Sequence, residues 1–300
     1  MADSALTPNL KGAAWMLGSA VCFTAMTTLI KYLGADYSAA LQTFYRQAAG
    51  LVILTPLILR DWRRAFYTTR PGILIFRSAA GVLGNILAFY AYQKIPLADA
   101  NALSFTRALW LTPLAFFMLG EKLGPARIGA TLTGFIGVLI MLAPSSHQTL
   151  GLPQAAALTS AFLFALTVTG MKVMTRDHSA FVILVYAAVL GFVFSLPTAL
   201  LAWRWPHPVD LLLLAIMGAL GVGTQACYIR GMAIGDAAAM APVDYTRLVF
   251  AVILGFALFH EVPRGRVILG AAIVVGSTLC ITLREHHQTR QAQKLALAEP

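Results

Sequence analysis

Residues 99–121 read DANALSFTRALWLTPLAFFMLGE, and residues 236–261 read DAAAMAPVDYTRLVFAVILGFALFHE. Each stretch begins with an aspartate, carries a Thr-Arg pair near its middle and ends in a glutamate after a long apolar run. Apolar runs of about 20 residues are typical of helices that cross a bilayer. The recurrence therefore predicts two related halves, each built from membrane-spanning helices.

The repeat extends beyond these two stretches. An offset of 141 residues aligns the first two predicted helices of each half without a gap, and offsets of 137 and then 140 align the later ones. Matching pairs include Ser19 and Ser160, Phe23 and Phe164, Lys31 and Lys172, Asp99 and Asp236, Arg107 and Arg247, and Glu121 and Glu261. The sequence therefore predicts a tandem duplication.

The amino-acid composition indicates that most of the protein surface faces lipid. Charged residues make up 11% of the chain and apolar ones 59%, whereas a soluble domain is typically about a quarter charged. We therefore predict an all-α membrane protein with ten transmembrane helices, near 12–33, 39–59, 71–93, 97–119, 125–143, 152–174, 180–201, 209–230, 236–259 and 264–283.

The predicted spans divide the chain into four parts. These are a cytoplasmic N-terminal segment (1–11), a first five-helix repeat (12–143), a second five-helix repeat (151–283) and a cytoplasmic tail (284–300). Because five spans is an odd number, the second repeat enters the membrane in the opposite orientation to the first. Inverted-topology repeats are typical of secondary transporters, which bind substrate near the midplane between the halves.

Lys and Arg residues predict the orientation. With a cytoplasmic N-terminus, thirteen of them lie on the cytoplasmic side and five on the other, with four inside spans. Basic cytoplasmic loops are the usual pattern, so we expect both termini inside. The net charge of +10 then reflects these loops, and we expect no nucleic acid to bind.

Several functional classes lack their motifs. The sequence has no GxxxxGK[ST] phosphate loop, which disfavours an ATP-driven pump. It also has no HExxH, GxSxG or clustered metal ligands. We therefore predict no catalytic residue, no metal site and no cofactor.

The stretches quoted above, with the glycines that follow each glutamate, resemble the EamA branch of the drug/metabolite transporter superfamily. The resemblance covers nearly the whole chain. It implies ten helices in two repeats and transport of amino acids or other metabolites by alternating access, commonly export. Among its members, the bacterial aromatic-amino-acid exporters are the most similar type.

Ionisable residues within spans are the first candidates for substrate binding, because charge is costly in hydrocarbon. Arg107, Asp244 and Arg247 lie deepest in the predicted spans. The arginines are expected to bind a carboxylate or phosphate, and Asp244 an ammonium group. Alternatively, Asp244 and Arg247 neutralise each other across one helix turn.

Arg46 and Arg77 lie nearer their helix ends. They either bind substrate or extend along the bilayer to the headgroups. The repeat has alanine at the position that corresponds to Arg46 and leucine at the one that corresponds to Arg77. This asymmetry favours function, because a framework residue is more often duplicated.

Further candidates are polar, aromatic or bend-forming residues. Side chains that stack on a substrate or donate to it, or else pack and anchor at the interface, are Asn85, Tyr90, Trp110, Tyr186 and Tyr245. Prolines that act as hinges, or form static kinks, are Pro56, Pro113, Pro197 and Pro242. Glu121 and Glu261 are predicted to orient the turn after their helices, with proton coupling as the alternative.

The excess of arginine over carboxylate within the spans favours a small-molecule substrate that carries a carboxylate. We predict a secondary transporter in a bacterial inner membrane that exports aromatic and other neutral amino acids. The alternative is uptake or exchange of a nucleotide-like or phosphorylated metabolite. An intramembrane lipid enzyme or a channel is the reading from a different class. The bilayer is the other partner, and a monomer is compatible with the sequence.

Overall fold

A computed structural model describes residues 3–120, 125–142, 151–174, 178–234, 240 and 243–280. The first half contains α1 (Asp3–Leu33), α2 (Ala39–Arg60), α3 (Trp62–Ala65), α4 (Pro71–Lys94), α5 (Leu97–Ser104), α6 (Arg107–Leu119) and α7 (Pro125–Leu142). The second half contains α8 (Leu152–Met174), α9 (Ala180–Leu201), α10 (Pro208–Ile234), α11 (Thr246–Phe259) and α12 (Gly265–Cys280). Every regular element in the described ranges is a helix.

Helix length and composition fit a membrane. Within the described residues, five segments are long and apolar enough to cross one, namely Leu10–Leu33, Pro71–Lys94, Leu152–Met171, Phe181–Leu201 and Pro208–Ile234. Large apolar side chains also face outward, such as Leu201 at 89% exposure and Phe117 at 80%. The prediction of an all-helical membrane protein is confirmed, whereas the count of ten spans stays a prediction.

The span predicted as one helix over 97–119 is wrong in one respect. The helix is interrupted at Phe105 and Thr106, between α5 and α6. Around the interruption the backbone bonds shorten to i→i−3, as in Thr106 N–H to Leu103 O at 3.1 Å, and the Thr106 hydroxyl donates to the same carbonyl at 2.7 Å. Helix α1 already begins at Asp3, and the cytoplasmic location of residues 1–11 stays a prediction.

The packing follows the repeat. Helix α1 lies along α10, and α4 lies along α8. Helix α8 is the repeat counterpart of α1, and α10 is the counterpart of α4. The two contacts are therefore equivalent under the repeat. Helix α2 packs on its own counterpart, α9. The two halves are therefore interlocked about an approximate two-fold axis, as an inverted repeat requires.

The ends of the helix bundle show that α1 and α8 run in opposite directions. In the loop after α1, the Tyr37 hydroxyl donates to Asp210 at the start of α10, at 2.7 Å. After α8, His178 Nε2 lies 3.0 Å from Thr68 Oγ1, beyond the other end of α2. We call these the Tyr37 end and the His178 end. By the charge bias, the Tyr37 end is predicted to be extracellular.

Three of the four prolines that the sequence predicts to bend helices lie within helices. Pro56, Pro113 and Pro197 lie inside α2, α6 and α9. Pro242 lies outside the described residues, as does Glu121. A hinge role for these prolines stays a prediction.

Glycines allow α7 and α12 to approach closely. A Cβ added to Gly137 would lie 2.8 Å from the Gly270 carbonyl oxygen, and one added to Gly270 would lie 2.5 Å from the Gly137 oxygen. Both distances are too short for real contacts, so neither position accepts a side chain without moving the backbone. Close approach of this kind is how membrane helices gain packing energy.

We expect Gly270→Leu to separate α7 from α12 and to destabilise the protein by about 1–3 kcal/mol. The measurement is the thermal unfolding midpoint of the purified protein in detergent. Gly276→Leu is the matched control, because a Cβ at Gly276 of the same helix meets no atom of the described residues within 4 Å. Equal effects of the two substitutions would contradict the assigned packing.

Candidate functional site

A cavity of about 230 Å³ lies between the two halves, with walls from α1, α2, α4, α5, α8 and α10 and from the first turns of α6 and α11. Its most polar lining groups are three arginines, Arg46, Arg107 and Arg247. The structure therefore brings together three of the four arginines that the sequence places within spans.

Arg46 projects from α2 toward α4. Its Nη1 lies 3.4 Å from Asn85 Oδ1, which also lines the cavity, and 3.3 Å from Gln47 Oε1. Its Nε is buried and has no acceptor in the described part of the protein. Since a buried donor without an acceptor is unfavourable, this N–H is available to an anionic ligand.

Arg247 is the neutralised arginine of the three. Its Nη2 donates to Asp244 Oδ2 at 2.6 Å, and its guanidinium stacks on Phe23 and Phe105 at 4.9 and 4.7 Å from the ring centroids. Asp244 and Arg247 therefore neutralise each other, which is the alternative to substrate binding that the sequence left open. Within the described residues, no carboxylate is within ion-pair distance of Arg46 or Arg107, so the described cavity carries an excess of positive charge.

Interrupted helices position two of these arginines. Arg107 is the first residue of α6, and Arg247 is the second residue of α11. In each case a threonine precedes the arginine, and its hydroxyl donates to the carbonyl oxygen three residues back. In the first half the hydroxyl bond adds to the backbone bond that the Leu103 carbonyl accepts from the Thr106 N–H.

The cavity wall also includes aromatic and small polar side chains absent from the predicted site. The aromatic residues are Phe23, Phe89 and Phe164, and the polar ones are Ser104, Ser160 and Thr224. The repeat carried a usable signal, because Phe23 and Phe164 are counterparts at the 141 offset. Corresponding residues that lie near the axis of an inverted repeat face the same space, as Phe23 and Phe164 do in this cavity.

Several predicted residues lie away from the cavity wall. Arg77 donates from Nε to the Thr167 carbonyl at 3.2 Å. The Tyr186 hydroxyl donates to the Phe66 carbonyl at 3.0 Å. Both contacts join the halves nearer the His178 end. A substrate role for Arg77 and Tyr186 stays a prediction that this geometry does not favour.

Three further aromatic candidates pack within the protein. Trp110 makes edge contacts with Phe135 and Phe162, at centroid distances of 4.9 and 5.3 Å. Tyr245 lies 4.8 Å from Phe105 by the same measure. Tyr90 packs against the main hydrophobic core. Helical spacing identifies aromatic residues but does not say which wall they face.

Glu261 lies at the Tyr37 end and connects the halves. It forms an ion pair with Lys31, and its Oε2 accepts a hydrogen bond from the Leu97 backbone N–H at 2.8 Å. Lys31 Nζ also donates to the Ile95 carbonyl at 2.7 Å. The carboxylate thus holds the start of α5 and the end of α1 against the turn after α11.

Comparisons with known proteins agree with this architecture. The profile of the EamA-like transporter family matches residues 10–143 and 152–283. The S-adenosylmethionine uptake transporter of Rickettsia prowazekii is 30% identical over 284 residues, covering 94% of this chain and 96% of that protein. The riboflavin transporter of Vibrio cholerae is 30% identical over 292 residues, covering 96% and 98%.

Two proteins of lower sequence identity also match over nearly the whole of this chain. Human solute carrier family 35 member G1 is 27% identical over 296 residues, covering 93% of this chain and 80% of that protein. A solved crystal structure superposes with a TM-score of 0.54 at 18% identity, covering 95% and 99% of the two chains, and this likeness shows the fold. The resemblance inferred from the sequence is confirmed. The chain belongs to the EamA-like transporter family and is a multi-pass membrane protein of the drug/metabolite secondary-transporter type.

Proposed function

We propose that this protein takes up, by alternating access, a metabolite that joins an α-amino carboxylate to a planar heterocycle, with S-adenosylmethionine as the first candidate. The observation that carries the proposal is the pair of cavity arginines, Arg46 and Arg107, without a carboxylate partner in the described residues. A buried guanidinium without a counter-ion is unfavourable, and a substrate carboxylate would supply one.

The remaining cavity wall suits the rest of such a molecule. Phe89, Tyr92 and Phe164 offer faces on which a ring can stack. Asp244 pairs with Arg247 of the cavity wall, and a substrate ammonium group that replaced Arg247 would keep the carboxylate paired. The cavity volume is smaller than the roughly 300–1,000 Å³ of typical small-molecule sites. A nucleoside-sized substrate therefore requires the halves to move apart, and alternating access provides this movement.

The relatives support the heterocycle. One is named for S-adenosylmethionine uptake and another for riboflavin, and neither name concerns amino-acid export. Riboflavin has no carboxylate for the arginines, whereas aromatic amino acids have both a carboxylate and a ring but appear in neither of these names. S-adenosylmethionine has a carboxylate for the arginines and a heterocycle for the aromatic wall, and its sulfonium cation suits the faces of Phe89, Tyr92 and Phe164.

The test is counterflow of labelled S-adenosylmethionine in proteoliposomes that contain the purified protein. We expect counterflow of the labelled compound to be saturable. Unlabelled S-adenosylmethionine should inhibit it more strongly than riboflavin, phenylalanine, adenosine or a nucleoside phosphate. Vesicles without protein provide the background. If folded protein exchanges riboflavin, phenylalanine or a phosphorylated solute but not S-adenosylmethionine, the proposed substrate is wrong.

Arg107→Gln and Arg46→Gln are each expected to raise KM for transport by about tenfold or more. A hydrogen bond to a charged group contributes about 1.5–3 kcal/mol, and its loss weakens binding accordingly. Arg204→Gln is the control, because Arg204 is 63% exposed at the Tyr37 end and pairs with Asp36. An unchanged KM in both cavity variants would remove the arginines from the substrate site.

Gly221→Val tests the space around Arg46. A Cβ at Gly221 would lie 3.0 Å from Arg46 Nε and 3.3 Å from Met26 Sδ, so the larger side chain displaces the guanidinium and fills part of the cavity. We expect KM to rise about tenfold, measured by the same counterflow. Gly223→Val is the matched control on α10, since its Cβ meets only Cys22 Sγ at 3.7 Å.

A further inference from the structure

The ion pair between Lys31 and Glu261 lies between the cavity and the Tyr37 end. Met26 of α1 lines the cavity, and Lys31 is five residues further along the same helix, about 7.5 Å closer to the Tyr37 end. Helices α4 and α5 carry cavity residues on either side of the backbone that the pair holds, with Tyr92 before it and Ala100 after it. The pair thus closes the cavity toward this end.

The ion pair is largely shielded from solvent, and both side chains also bond the backbone. The side chains of Lys31 and Glu261 are 13% and 16% exposed. Besides each other, they bond the Ile95 carbonyl and the Leu97 N–H, and Lys31 Nζ lies 5.5 Å from the Phe259 ring centroid. Removing one partner leaves the other charge uncompensated at low exposure, which is strongly unfavourable.

The turn that presents Glu261 is locally determined. His260 adopts the left-handed conformation with φ 54°, and the Glu261 N–H donates to the Gly255 carbonyl at 3.0 Å, which ends α11 tightly. A Cβ at Gly255 would lie 3.1 Å from Glu261 Oε2, so glycine leaves room for the carboxylate against α11. The geometry commits Glu261 to the interface with the first half.

We propose that Lys31 and Glu261 form a gate that joins the two halves at the Tyr37 end and opens when substrate enters or leaves there. The pair links α1 and the α4–α5 connection of the first half to the α11 turn of the second. Solute cannot pass at this end until these segments part. The inference rests on alternating access, which is part of the proposed function, and is independent of the substrate.

The experiment measures access to the cavity from each side of the membrane. The natural cysteines are replaced by alanine, and Ala88→Cys places a thiol in the cavity wall. A membrane-impermeant thiol reagent is applied to spheroplasts and to inverted vesicles without substrate. Trp205→Cys in a separate chain identifies the Tyr37 face, because Trp205 is 80% exposed in the loop at that end.

Glu261→Gln and Lys31→Met are each expected to raise the labelling rate from the Tyr37 face about fivefold and to lower it from the opposite face. A shift of about 1 kcal/mol between two states changes their ratio by this factor. The double variant should not exceed the single ones, because either substitution alone already removes the interaction. Arg204→Gln breaks an exposed ion pair at the same end and should leave both rates unchanged.

Three results would overturn the gate: unchanged labelling in both single variants, additive effects in the double variant, or equal increases from both faces. The last would indicate loosened packing and not gating. Because labelling needs no substrate, a failure of S-adenosylmethionine counterflow leaves this test intact. The two proposals can therefore fail separately.

Discussion

A guanidinium group cannot face hydrocarbon without a large loss of free energy, and the rest of this structure follows from that constraint. Arg46, Arg107 and Arg247 come from three helices and both halves. Their heads share one cavity because only a polar space between the halves accepts them at that depth. The interrupted helices, the close helix crossings and the polar lining are the means by which the fold keeps this space within the bilayer.

The duplication separates framework from chemistry. In both halves a helix begins at a Thr-Arg pair and ends with a left-handed residue, Gly120 at φ 67° and His260 at φ 54°. By contrast, Arg46 and Asp244 have no charged counterpart in the other half. A metabolite with different groups at its two ends requires an unsymmetrical site, so the unduplicated residues carry the specificity on a duplicated scaffold.

The sequence identified the helices and the central charged residues because both are visible along the chain. A helix is indicated by a long apolar run, and a central charge by a charged residue inside such a run. Sequence reasoning placed Arg77, Trp110 and Tyr186 in the site because depth along a helix is readable from sequence, whereas the direction a side chain faces is not. The contact of Arg77 with the Thr167 carbonyl depends on how α4 lies against α8. No spacing rule within α4 contains that information.

The sequence by itself determined the solvent, the helical class, the two repeats, the family and the residues whose charge requires a cavity. These follow from local composition and from comparison of the chain with itself. Tertiary structure alone decided that Asp244 neutralises Arg247, that Phe23 and Phe164 reach the cavity, and that Lys31 meets Glu261 across the two halves. The reason is physical, because side-chain pairing between distant segments depends on helix rotation and crossing, which are properties of the packed bundle.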